Sequence, residues 1–176
     1  MKIRLTMLGV LLLACGSASA GEIEVNWYQP EKYTDVKGAN ESNKRFKQRT
    51  FKQFEAFFAK QAQSLPEDVK IKLTITNLNL AGDVRHNFSL HREIRLVTQT
   101  YWPMIEFEYQ ITAGDKVVDS GKTKLKDMSF LDRGRIRASR SGALNYEKRM
   151  LKDWFRKDVE KALLNWRQHQ NAVMAD

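Results

Sequence analysis

Residues 105–126 read IEFEYQITAGDKVVDSGKTKLK, and the alternation on both sides of Gly114-Asp115 marks two antiparallel strands joined by a tight turn. Ile105, Phe107, Tyr109 and Ile111 line one face of the first strand, with Glu106, Glu108 and Gln110 on the other. Side chains in a strand repeat every two residues, so register decides which of them are buried. With odd positions inward on both strands, a three-residue loop over 114–116 sets Glu108 opposite Lys122 and Glu106 opposite Lys124. Opposite charges facing each other across a strand pair are favourable. A two-residue loop would turn both lysines into the core, so the spacing predicts the longer loop.

Upstream, Val69, Ile71, Leu73 and Ile75 alternate with Lys70, Lys72, Thr74 and Thr76, a second strand. Its parity reverses at Leu78 and Leu80, which predicts a bulge or a strand exit near Asn77. Residues 81–91 read as a loop, and a weaker strand covers 93–100 before Pro103. At the start of the pattern, Ile23, Val25 and Trp27 alternate with Glu22, Glu24 and Asn26, and Pro30 closes that strand. A polar stretch through Asn43 reads as a long loop. From 44 to 65 the period becomes helical, with Phe46, Phe51, Phe54, Phe58, Ala62 and Leu65 on one stripe, Ser42 as the N-cap and Pro66 as the stop. A phenylalanine stripe of this kind is a core-facing surface rather than a ligand pocket. A final helix carries Leu144, Leu151, Trp154, Phe155, Val159, Leu163 and Trp166, with Lys148, Lys152, Arg156 and Lys157 mostly off the stripe. The expected fold is α+β: a four- to five-stranded, mainly antiparallel sheet with two amphipathic helices on one face.

A chain of 176 residues with 42% hydrophobic side chains fits one ordinary domain with a sizeable core. Its single cysteine excludes a disulfide framework and a cysteine-based zinc site. The first twenty residues read as an export signal: Lys2 and Arg4, an uncharged apolar run over 7–14, then Ala18-Ser19-Ala20 where a signal peptidase cuts. This divides the chain into a leader over 1–20 and a single domain over 21–176 with a polar C-terminal tail, and it predicts a periplasmic address. Leu12-Leu13-Ala14-Cys15 also resembles a bacterial lipobox, in which case Cys15 would carry a lipid and anchor the protein to a membrane. After the leader no run of 18 or more apolar residues follows, so no transmembrane segment is expected.

Charge is unevenly placed along the chain. Residues 21–121 hold 14 cations and 14 carboxylates, whereas 122–161 hold 13 cations and six carboxylates. Asymmetry of this kind speaks about partners, not about fold. Within it RGRIRASRS, residues 133–141, stands out. Arg133, Arg135 and Arg137 project from one face of an extended stretch, Arg140 follows, and Ser139 or Ser141 can cap the final helix. Guanidinium forks beside a helix N-terminus form a candidate anion-binding site. The competing assignment is a solvated basic loop that neutralises Asp127, Asp132 and Glu147.

No catalytic constellation is visible. His86, His91 and His169 have no chelate spacing, so no metal site is expected, and no phosphate-binding glycine loop or nucleophile elbow occurs. Asp127 and Asp132 are the nearest approach to a carboxylate pair for glycoside hydrolysis, on spacing alone, with neighbouring lysines available to hold Asp127.

Five segments, WYQPEKYTD (27–35), LAGDV (80–84), YWP (101–103), LKDMSFL (125–131) and YEKRMLKDWF (146–155), resemble the bacterial family called Domain of Unknown Function 3016. The resemblance spans nearly the whole chain after the leader, is weakest beyond Phe155, and implies a small exported protein. It implies no activity, cofactor or catalytic residue. The expected function is therefore a non-catalytic envelope protein that binds an anionic envelope component or an acidic protein through its basic C-terminal third, without cofactor. An accessory subunit of a periplasmic complex and an unrecognised hydrolase are the alternatives. Nucleic acid would suit the net charge but not an exported protein.

Overall fold

A computed structural model describes residues 20–132 and 144–173. The fold is α+β. Strands β1 (Glu22–Trp27), β2 (Val69–Asn79), β5 (Met104–Ala113) and β6 (Lys116–Lys126) form a sheet in the order β1-β2-β5-β6, and β3 (Asp83–Asn87) pairs separately with β4 (Arg92–Leu96). The sheet is mixed: β1 runs parallel to β2, while β2–β5 and β5–β6 are antiparallel. Parallel neighbours need a long crossover, which here contains helix α1 (Asn43–Ala62).

Helix α1 begins where Ser42 Oγ accepts the Arg45 N–H at 3.4 Å and buries Phe54, Phe57, Phe58 and Ala62. The polar stretch before it is better anchored than an ordinary loop. Tyr33 and Val36 are buried in it, and the Tyr33 hydroxyl donates to the Ile75 carbonyl at 2.8 Å, with burial pushing its pKa up. The second helical run consists of α2 (Asn145–Trp154), one wide π turn (Phe155–Val159) and α3 (Glu160–Val173). Its buried Leu151, Phe155, Val159 and Leu163 recur every four residues. On a regular helix each such step overshoots a full turn by about 40°. The wide i→i+5 turn takes up that drift and keeps the four in line. Both helical elements lie on the same face of the sheet. Phe58 meets Phe155 at 6.3 Å between ring centroids, Trp154 sits edge-on to Phe107 at 4.9 Å, and Trp27 stacks on Phe51 at 4.2 Å.

The reversal in β2 is a bulge: Ile75 pairs with Phe107 and Asn77 with Glu106, leaving Thr76 as the extra residue. The hairpin keeps the expected pairs, Glu108 with Lys122 and Glu106 with Lys124, but reaches them differently. Ala113 pairs with Lys116, so the loop is two residues, with Gly114 at φ +57° supplying the conformation side chains rarely adopt. The register then shifts between Ile111, opposite Asp119, and Thr112, opposite Val117. Val118 is the extra residue. It packs on the core while Val117 turns out to solvent, which restores the parity that a two-residue loop alone would break.

Residues 81–91 are not a loop, because 83–87 form β3, and the strand expected over 93–100 ends at Leu96. This hairpin contributes no buried residue between 83 and 102, so neither of its faces is written in the sequence as an alternation.

Candidate functional site

Two carboxylates that the basic segment was a candidate to neutralise have partners elsewhere. Asp127, buried just after β6, accepts the Ser129 N–H at 3.1 Å and pairs with Arg149 of α2 at 3.2 Å. The same guanidinium donates to the Phe130 carbonyl at 2.7 Å, so an arginine rather than a neighbouring lysine holds Asp127. Asp132 is exposed, whereas Asp127 is buried and held by these bonds. Glu147, in the first turn of α2, is 2% exposed and accepts the Ala81 N–H at 2.7 Å. Burial pushes its pKa up, against the lowering effect of the Ala81 and Glu147 amides and of Arg95. Ser139 and Ser141, the expected caps of this helix, lie outside the described residues. Its N-cap is Leu144, at φ 65° and without a side-chain cap, and Glu147 meets one of the free amides instead.

Glu147 forms part of the wall of a cavity of about 250 Å³, bounded also by Phe46, Arg49, Ala81, Arg95 and Tyr146. Arg95 reaches Asp35 at 2.8 Å and the Gly82 carbonyl at 2.9 Å, and Arg49 pairs with Glu41. With both guanidiniums already matched and a carboxylate in its wall, this cavity is a poor anion receptor. It is instead the junction at which segments 27–35, 80–84 and 146–155 meet, through Asp35, Ala81 and Glu147.

The two layers of the molecule differ in charge. On the outer face of the sheet, lysines answer glutamates strand by strand: Lys70–Glu22 at 3.3 Å, Lys72–Glu24 at 3.9 Å, Lys122–Glu108 at 2.7 Å and Lys124–Glu106 at 2.6 Å. Two of the cations in the basic stretch 122–161 are thus neutralised by carboxylates from outside it. Helix α1, by contrast, carries six cations, Lys44, Arg45, Lys47, Arg49, Lys52 and Lys60, against one carboxylate, Glu55. All six except the half-buried Lys47 are exposed. From 145 to 173 there are seven cations and four carboxylates. The helical layer is therefore strongly basic and the sheet face balanced. Sequence reasoning missed α1 because its excess cancels against the rest of 21–121; a twenty-residue window would have shown it.

Arg133, Arg135, Arg137 and Arg140 lie outside the described residues, as does Cys15. Among the described residues no group of three or more His, Cys, Asp or Glu is placed to hold a metal ion, and no helix is long and apolar enough to cross a membrane. His86 lies on β3 with its ring edge-on to Phe88 at 5.0 Å, and His91 in the following turn.

The fold and its charge layout define an α+β domain with a basic helical layer. A model of a family described as proteins of unknown function, DUF3016, matches residues 21–157, and the chain belongs to that family. The match stops two residues beyond Phe155. Comparison with curated proteins and with solved structures gave no match.

Proposed function

We propose that the protein is an exported, non-catalytic envelope protein that docks on an anionic surface through its helical layer. Arg133, Arg135, Arg137 and Arg140 extend the contact. The observation that carries this reading is the contrast between layers: paired lysines on the sheet, an excess of cations on α1. A second support is that Asp127 and Glu147, two of the three carboxylates that the basic segment was a candidate to neutralise, have partners of their own in Arg149 and the Ala81 N–H. A periplasmic location rests on the leader-like residues 1–20 and on a family match that begins at Gly21. Mass spectrometry of the native protein should then find Gly21 at the N-terminus, whereas an acylated Cys15 would mean a lipid-anchored protein.

Sedimentation with phosphatidylglycerol-containing vesicles tests the binding. The wild type should bind at low salt and release as screening tightens to about 8 Å at physiological ionic strength. Replacing the four arginines with glutamine should weaken binding by several hundredfold, at about 1 kcal/mol per cation near an anionic surface. Equal binding by the two proteins would remove the arginines from the site, and no binding at low salt would overturn the reading.

A further inference from the structure

The tip of the β3–β4 hairpin has no role in the core or in the basic layer. Phe88 is 81% exposed, the most exposed large apolar side chain among the described residues, and Leu90 is 53% exposed. Leu96 and Val97, nearer the base, are exposed as well. Isolated apolar side chains on a surface are ordinary, but several on one projecting hairpin mark a contact surface.

The tip is presented on a firm base. Asn40 bonds Glu93 on both backbone groups, with the Glu93 N–H reaching Asn40 Oδ1 at 3.0 Å. Arg95 ties β4 to Asp35, to the Gly82 carbonyl and to the Lys37 carbonyl at 2.8 Å, with its guanidinium over the Phe46 ring of α1. Gly82, at φ +84°, would place any Cβ 2.6 Å from the Leu96 carbonyl oxygen, so only glycine lets the strands close there. The turn itself is fixed by the Leu90 N–H to Asn87 Oδ1 bond at 2.9 Å. The base contacts the loop before α1 and, through Phe46, its first turn, where Lys44 and Arg45 are exposed, and the exposed Arg92 flanks the tip.

We propose that this tip is a membrane wedge: Phe88 and Leu90 enter the boundary between headgroups and acyl chains of an anionic bilayer, with Arg92 at the level of the phosphates. The proposal rests on the anionic-surface reading above. A bilayer is favoured over an apolar groove in a protein because Arg92 beside the tip complements lipid phosphates, and a five-residue strand reaches about 17 Å, ample to seat two side chains at shallow interfacial depth.

Vesicle binding of Phe88→Ser/Leu90→Ser tests the wedge, together with quenching of Phe88→Trp fluorescence by lipids brominated on their acyl chains. Both substituted positions are exposed, so melting of the double variant should match the wild type. The wedge predicts affinity for phosphatidylglycerol vesicles about ten- to hundredfold weaker, and quenching of the introduced indole beyond that of the native tryptophans. If the double variant binds as tightly as the salt-sensitive wild type and the introduced indole is not quenched, the wedge is wrong while the basic surface stands. If the wild type ignores the vesicles, both fail together. A dimer in vesicle-free solution that the double variant loses would make a second copy of the chain the occupant and overturn the bilayer proposal.

Discussion

Glu147 keeps its carboxylate against the Ala81 amide at nearly complete burial, and its pKa is raised above the usual 4.5. From pH 4.5 up to that raised value, the folded chain holds a proton that the unfolded chain has released. Stability therefore falls as pH rises through this window. Glu147→Gln removes the titration, so its stability curve in chemical denaturation should lack the descent that the wild type shows as pH rises above 4.5. Glu147→Ala instead strands the Ala81 N–H and opens a cavity, which should cost about 2–4 kcal/mol, more than the Gln variant. In the sequence Glu147 is one charged residue among many in a polar helical turn. Its burial depends on Ala81, 66 positions away, and no local pattern encodes that separation. Ser42, by contrast, was readable as a cap because capping is local.

Val118 is the extra residue that lets a two-residue loop meet the register of the β5–β6 hairpin. Removing it joins Val117 directly to Asp119 and leaves Glu108 facing Lys122 and Glu106 facing Lys124, so the variant loses the bulge and the packing of Val118 on the core but keeps the charge pairs. Deletion of Val118 and Val118→Ala should therefore each cost about 1 kcal/mol. A deletion variant that loses several kcal/mol in chemical denaturation would show that the bulge itself holds the register. The charge pairs were legible because they follow from which face is buried, and that alternation is plain from 105 to 111. The bulge was not, since Val117-Val118 offers two equivalent apolar residues and only three-dimensional closure selects one. Likewise β3 escaped notice because a hairpin exposed on both faces leaves no alternation. The π turn left a trace, the four-residue repeat from Leu151 to Leu163, which resembles an ordinary helical stripe.

Across the molecule, the layer arrangement follows from hydrophobic periodicity, and periodicity places α1 and the α2–α3 run on one face of the sheet. The distribution of charge does not follow in the same way. Counted along the chain after residue 20, the excess lies wholly in 122–161. In space, two of those lysines are matched on the sheet, while α1, from the neutral part of the sequence, carries the largest net positive charge of the described helices. The basic C-terminal third is thus only part of the surface on which the proposed function rests. Two quadruple variants with the same change in net charge separate surface from total charge. One replaces Lys44, Arg45, Lys52 and Lys60 of α1 with glutamine, and the other replaces Lys70, Lys72, Lys122 and Lys124 of the sheet. Sedimentation of both with phosphatidylglycerol vesicles at low salt is the direct measurement. The α1 variant should lose affinity by several hundredfold and the sheet variant far less, whereas equal losses would mean that no particular face docks and would contradict the account.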